Sequence, residues 1–301
     1  MTTWTADNIP DQKGRTAVVT GANSGLGLVT ATELARHGAH VVLAVRNTAA
    51  GAEAARRING DVEVRELDLA SLDSVCEFAG KLVAEHARID LLVNNAGVVL
   101  LGPRRTSADG FELQLGTNML GHFALTGLLL DALTDGKGPR VVSLSSITHK
   151  GAHLDFDDLM FERGYRASSA YGRSKLATTV FGIELERRLR AVQSPITSVL
   201  AHPGLTRTNL TPRAWEHRGR MGRVIARTGL LFTQSVAQGA LPQLFAATGP
   251  DVRGGQLFGP SGPWETRGRV AEGRLSREAG DPVVGARLWA AAEELTGVRY
   301  L

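Results

Sequence analysis

The sequence predicts an α/β protein built on a doubly wound parallel sheet, a three-layer α/β/α sandwich. Three observations predict it. Through the first two-thirds of the chain, short apolar runs of strand length alternate with longer runs of helical period. A glycine-rich turn sits between the first such strand and the first helix. The composition, 43% hydrophobic and 21% charged over 301 residues, suits a globular chain that buries a large core without a disulfide or metal staple.

Residues 15–20 are β-branched and end at a glycine, and residues 25–37 have helical periodicity. His40–Val45 is a second apolar run, residues 48–58 are an Ala-rich helix, and residues 62–67 alternate as a strand does. Residues 71–86 read as a helix with Ser71 as its cap. Further strands are expected at residues 89–93, Arg140–Leu144 and residues 196–200, with helical stretches around 107–133 and 168–190. Such alternation implies βαβ units, and right-handed crossovers wind them onto both faces of one sheet. No repeat, low-complexity tract or linker interrupts the pattern, so one Rossmann-type domain over residues 1–301 is expected. Residues 205–232 depart from it. They are rich in Arg and Gly, carry Trp215 and follow a strand end, where open α/β sheets place ligands. They read as a substrate lid, with an irregular surface excursion as the alternative.

The net charge of +4 is too small a surplus to point to nucleic acid. Arginines between positions 213 and 227 read as a solvated helix face, the alternative being guidance of an anionic cofactor or substrate. Cys76 stands alone, which rules out an internal disulfide and a cysteine zinc site and fits a reducing compartment. The first 14 residues are polar, and no apolar run reaches the roughly 18–20 residues of a membrane helix. A soluble cytoplasmic protein is expected, with no membrane span and no nucleic-acid partner. His122, His149, His153 and His202 show no ligand spacing, so no metal is expected.

The turn Thr20-Gly21-Ala22-Asn23-Ser24-Gly25-Leu26-Gly27 lies between strand and helix. Glycines there permit a tight turn and close approach of a pyrophosphate, which the free N–H groups of the helix N-terminus then hold. The spacing of Gly21, Gly25 and Gly27 is one residue wider than the common dinucleotide fingerprint. Arg46 follows the second strand, where this fold meets the adenosine ribose. A cation there pairs with a 2′-phosphate, so NADP(H) is the expected cofactor, with NAD(H) as the alternative if Arg46 is only a surface residue. Asp68, with Leu69, follows the third strand and faces the adenine; capping of the next helix is the alternative for Asp68.

Tyr171 and Lys175, in Tyr171-Gly172-Arg173-Ser174-Lys175, are four apart on a predicted helix and share one face. A phenol titrates near pH ~10, and an adjacent ammonium lowers that value and makes it a usable acid–base group. Four further motifs stand in order around this pair. They are the glycine turn, Asn94-Asn95-Ala96-Gly97 after the fourth strand, residues 141–146 at the fifth, and His202-Pro203-Gly204 after the sixth. With them the chain resembles the short-chain dehydrogenase/reductase family over almost its whole length.

The resemblance implies a role for each matching residue. Tyr171 is implied as proton donor to a carbonyl or base toward an alcohol. Lys175 is implied to bind the nicotinamide ribose and lower the tyrosine pKa, and Ser146 to hold the substrate oxygen. Asn118, in Thr117-Asn118-Met119, resembles the asparagine that positions a water for proton relay, with a buried, satisfied amide as the alternative. Gly21, Asn23, Ser24, Gly25, Leu26 and Gly27 are implied on the diphosphate side. Asn94, Ala96 and Gly97 support the cofactor, and Pro203, Gly204, Thr206 and Thr208 grip its nicotinamide end. Of the adjacent Ser145 and Ser146, strand alternation lets only one face the site. Homodimers or homotetramers through the Tyr171 helix are also implied.

The chain departs from the commonest members in two places. Ser24 stands where many NADP-using relatives carry a basic residue. Ser146 and Tyr171 are widely spaced, with His149-Lys150-Gly151 and Asp155-Phe156-Asp157-Asp158-Leu159 between them. That insertion, with Asn118-Met119-Leu120-Gly121-His122-Phe123, resembles the branch of retinol dehydrogenases and related bacterial reductases. It implies a bulky apolar carbonyl or alcohol as the small-molecule substrate, although the membrane anchor of the retinol enzymes is not seen in this chain. The expected activity is a ketone or aldehyde reductase, reversible as an alcohol dehydrogenase. The alternatives are a catalytically silent cofactor-binding regulator or scaffold of the same fold, and a sugar-nucleotide epimerase.

Overall fold

The computed structural model describes residues 4–206 and 233–301. Strand β1 (Thr16–Thr20) leads into α1 (Gly25–Arg36), followed by β2 (His40–Val45), α2 (Thr48–Ala55), β3 (Val62–Glu66), α3 (Leu72–Glu85) and β4 (Leu91–Asn94). The middle of the chain carries α4 (Leu113–Leu115), a π-helical turn (Gly116–Leu120), α5 (Gly121–Leu128), α6 (Leu130–Thr134) and β5 (Arg140–Leu144). The long α7 (Ala167–Ala191) precedes β6 (Thr197–Ala201). Beyond residue 232 come α8 (Val236–Thr248), β7 (Leu257–Pro260), β8 (Val270–Glu272) and α9 (Pro282–Thr296).

These strands form one sheet in the order β3-β2-β1-β4-β5-β6-β7-β8. Neighbours from β3 through β7 pair in parallel, and β8 closes the edge antiparallel to β7. Burial on both faces explains the unbroken apolar runs of the inner strands. Val18 and Val42 face one core with Phe78, Phe123, Phe181 and Trp289, whereas Val19 and Leu43 face the other with Leu26, Leu34 and Leu244. Helices α3, α5, α7 and α9 therefore cover one face, and α1, α2 and α8 the other. Edge strand β3 alternates Val62 and Val64 with Glu63, Arg65 and Glu66, charges that discourage pairing with another chain.

Most predicted elements fall within a residue or two of their sequence positions. The clear difference is the expected helix at 107–133, which is broken into α4, the π turn, α5 and α6. Glycines cause it by close packing. A Cβ on Gly121 would strike the Leu69 carbonyl, and one on Gly127 would strike the Tyr300 ring. The backbone follows those contacts rather than one regular helix.

Phe123 sits at the centre of the first core with no exposed surface. Its ring centroid lies 5.7 Å from that of Phe181, 5.0 Å from Trp289 and 4.9 Å from Tyr300. Phe123→Ala should cost about 3–5 kcal/mol of unfolding free energy in a denaturant titration. A cost below about 1 kcal/mol would show that this core collapses around the gap.

Candidate active site

The parallel strands all end on one rim, and the predicted site residues gather there. Gly21 (φ +67°) and Gly25 (φ +59°) take the left-handed backbone that a side chain disfavours. At Gly27 a Cβ would strike the Asn95 amide and the Gly21 carbonyl. Ser24, extended and exposed, precedes α1 without capping it through its side chain, so the first-turn N–H groups face outward without a side-chain acceptor. Among the described residues, a Cβ built on Gly25 would meet nothing within 4 Å beyond its own helix and chain neighbours. A cradle closed by glycines, with uncapped donors and open space above it, fits a dinucleotide diphosphate. Asn23 is half-buried beside the turn, and the Leu26 side chain belongs to the core, which leaves only its main chain for a ligand.

Arg46 is exposed, two residues beyond Ala44, which is level with Thr20 of the adjacent strand. Asp68 accepts the Ala70 N–H at 3.0 Å in a tight turn, while Ser71 caps α3 by accepting from Ser74 N–H at 3.3 Å. The capping alternative for Asp68 thus belongs to Ser71. The Leu69 side chain is buried in the core, so only its main chain faces the rim.

The side chains of two adjacent asparagines point to different neighbours. Asn94 donates to Thr126 Oγ1 at 3.1 Å and is turned into α5. Asn95, absent from the predicted set, holds the turn, since its Nδ2 donates to the Thr20 carbonyl at 2.7 Å. The Thr20 hydroxyl accepts from the N–H groups of Asn95 (3.0 Å) and Ala96 (2.9 Å) and meets His122 Nε2 at 2.9 Å. His122 Nδ1 faces the Asn118 carbonyl at 3.1 Å, so it carries the proton and Nε2 accepts from Thr20. Strand alternation is the signal that would have separated Asn94 from Asn95.

The residues expected to be reactive follow β5 and lie on α7. Ser145 Oγ is buried against Thr179 Oγ1 at 2.6 Å, which leaves Ser146 facing Tyr171. Lys175 is buried on α7, and its Nζ donates to the Leu144 carbonyl at 2.8 Å. Burial pushes its ammonium down to about 8. A Cβ on Gly97 would lie 3.4 Å from Lys175 Nζ and 3.2 Å from Asn118 Oδ1, so β4, the π turn and α7 converge here. Lys175 was expected to lower the Tyr171 pKa. In the structure burial is the larger influence and pushes the phenol above its ordinary 10.0, while the Ser146 hydroxyl pulls the other way. Asn118 Oδ1 accepts from Val98 N–H at 2.7 Å, and its Nδ2 donates to Val98 O at 3.1 Å and Ser174 Oγ at 2.9 Å. Its amide is buried and satisfied within the protein, the alternative read from the sequence.

His202 follows β6 and donates from Nε2 to Glu265 at 2.7 Å, which also accepts from Lys150 at 2.6 Å. A Cβ on Gly204 (φ +62°) would strike the Thr266 carbonyl. The Pro203 carbonyl accepts from Thr206 Oγ1 and Gln234 Nε2, each at 2.7 Å. Thr208 and the expected lid beyond Thr206 lie outside the described residues.

The model of the short chain dehydrogenase family matches residues 15–219, and the chain belongs to that family of oxidoreductases. It falls in the retinol dehydrogenase-like branch. Human retinol dehydrogenase 13 is 40% identical over 300 residues, spanning 95% of this chain and 85% of that one. Among solved structures, an uncharacterized protein from Mycobacterium paratuberculosis is 43% identical with a TM-score of 0.83, covering 100% of both chains. A protein from Beutenbergia cavernae, described as an NAD(P)-dependent gluconate 5-dehydrogenase and solved with NADP, is 27% identical with a TM-score of 0.60, over 81% of this chain and 94% of that one. Among the described residues, no helix is long and apolar enough to cross a membrane.

Burial holds His122 and His202 at about 4, below the ordinary 6.5. Each is neutral in the fold, whereas the unfolded chain takes up its proton near 6.5. Their contribution is therefore complete above about 6.5 and is lost as pH falls toward 4. On the order of 3 kcal/mol per histidine should disappear across that window. Denaturant titrations at several pH values should show a shallower acid slope for His122→Gln than for the native protein. Equal slopes would mean that His122 is not held neutral.

Proposed function

We propose that this chain is an NADP(H)-dependent carbonyl reductase, reversible as an alcohol dehydrogenase, with Ser146, Tyr171 and Lys175 as its catalytic residues. The observation that carries this reading is the convergence of those three side chains beside a glycine cradle on one rim of the sheet. The bound dinucleotide supplies or accepts the hydride. Tyr171 supplies the matching proton from its hydroxyl, and a phenol held above its ordinary value is protonated at neutral pH, as a donor to a carbonyl must be. Ser146 orients the substrate oxygen with its hydroxyl. Lys175 offers its ammonium to the ribose hydroxyls and favours the phenolate during alcohol oxidation. Asn118 positions the wall between them through its bonds to Val98 and Ser174. Arg46 pairs with the 2′-phosphate, a choice supported by its exposed place past β2 and by the NADP of the Beutenbergia relative. Similarity to retinol dehydrogenase 13 supports a bulky apolar substrate.

Tyr171→Phe should lower kcat by about 10²–10⁴ with a panel of apolar aldehydes and ketones. Its melting temperature and dinucleotide affinity should stay near native, since only the hydroxyl is lost. Lys175→Ala should lose turnover and dinucleotide affinity together. Near-native carbonyl reduction by Tyr171→Phe would end this assignment.

Cofactor choice is tested separately. Arg46→Asp should weaken NADPH binding by ~10–150-fold, the equivalent of about 1.5–3 kcal/mol for a charge-assisted hydrogen bond, and leave NADH less affected. A native protein that turns over faster with NADH than with NADPH at equal concentration would contradict the assignment.

A further inference from the structure

We propose that His40, Glu63 and His86 form a binding site for a divalent transition-metal cation of the zinc class, on the sheet rim opposite the catalytic residues. Three separate elements supply the ligands. His40 opens β2, Glu63 is the second residue of β3, and His86 follows the last turn of α3. No sequence spacing announces such a set, because parallel pairing and a helix return bring it together.

His86 Nε2 lies 2.9 Å and His40 Nε2 lies 3.8 Å from the same oxygen, Glu63 Oε1. All three donor atoms lie within 4.8 Å of one another. Tetrahedral zinc with ligand bonds of ~2.0–2.1 Å separates its donors by about 3.3 Å. The two observed distances bracket that value, and the His40 and His86 rings stack with centroids 5.2 Å apart, so binding requires the imidazoles to turn toward a shared point.

The hydrogen bonds around the cluster orient these donors. His40 Nδ1 lies 3.0 Å from Asp61 Oδ2, so a proton carried on Nδ1 leaves Nε2 free as the ligand atom. This is the carboxylate–histidine arrangement that supports metal ligands from behind. His40 Nε2 is shielded from solvent and has no hydrogen-bond partner. The carboxylate oxygen 3.8 Å away is beyond hydrogen-bond reach, and a cation between the two would satisfy both atoms. Arg65 holds the other oxygen, Glu63 Oε2, at 2.9 Å and so keeps Oε1 turned toward both imidazoles.

Two imidazoles and one carboxylate form a donor set for zinc and its neighbours. Magnesium and calcium take all-oxygen sites instead. The side chains of His40, Glu63 and His86 keep 25%, 25% and 19% of their surface exposed, which leaves water access to a fourth position. A metal bound here would tie the start of β2 to the edge strand β3 and to the end of α3.

The test uses chelator-treated full-length protein without a histidine tag, titrated with zinc chloride by calorimetry, with magnesium chloride as the control. One equivalent of zinc should bind, magnesium should not, and zinc should raise the melting temperature. The double substitution His40→Gln and His86→Gln should remove both effects. Its circular dichroism and zinc-free melting curve should match the native protein, which separates lost binding from misfolding. Asp61→Asn should weaken zinc binding by about 10–100-fold while leaving every ligand in place. Absence of saturable zinc binding, or binding that the double variant retains, would overturn the proposal.

Discussion

The catalytic rim depends on one buried hydroxyl, that of Thr20. It accepts the N–H groups of Asn95 and Ala96 and donates to His122. Three chain segments meet there, namely the end of β1, the exit from β4 and the helix following the π turn. Backbone N–H groups buried at strand ends have no ladder partner and are costly if left unpaired. Thr20 satisfies two of them with one side chain. Its own proton has the His122 imidazole at 2.9 Å and the Val93 carbonyl at 3.3 Å as acceptors, and burial keeps His122 neutral. Gly97 sits on one of the segments this anchor joins, and Asn118 packs against its neighbour Val98 and against Ser174 of α7, the helix that carries Lys175.

The sheet and the shared helix of Tyr171 and Lys175 were legible because their signals are local. Parallel strands buried on both faces read as short apolar runs, and Tyr171 and Lys175 announce themselves by one helical turn of spacing. What was not legible depends on contacts between distant residues. The π turn holding Asn118 arises where Gly121 approaches the Leu69 carbonyl, a contact no periodicity encodes. Asn94 and Asn95 are chemically the same, and only the pleat decides that Asn95 faces the glycine turn. Strands β7 and β8 are four and three residues long, too short to stand out from the glycine-rich sequence around them.

Electrostatically the rim holds a cation and a phenol that burial pushes in opposite directions. Desolvation disfavours the ammonium of Lys175 and the phenolate of Tyr171, so both lean toward neutrality. The carbonyl of Leu144 compensates Lys175 only in part, because a main-chain dipole is weaker than a carboxylate. A buried ammonium with one neutral acceptor has donors to spare for ligand hydroxyls. The N–H groups that Leu144 does not take up suit the site to a polar ligand with hydroxyl acceptors.

The two rims of the sheet are electrostatically independent. Strand β2 runs six residues from His40 to Val45, about 20 Å at ~3.3 Å per residue, so the imidazole cluster and Arg46 sit about two Debye lengths apart at physiological ionic strength. Direct Coulomb effects of a cation at His40 on the cofactor rim are largely screened by solvent. What connects the rims is mechanical, since β2 is paired along its length with β1 on one side and β3 on the other. Among the described residues, β3 is the edge strand of the sheet. Fixing its start to His40 and His86 would stabilise the edge where fraying begins. The effect at Arg46 would be to hold the strand that presents it, without altering the chemistry of the opposite rim.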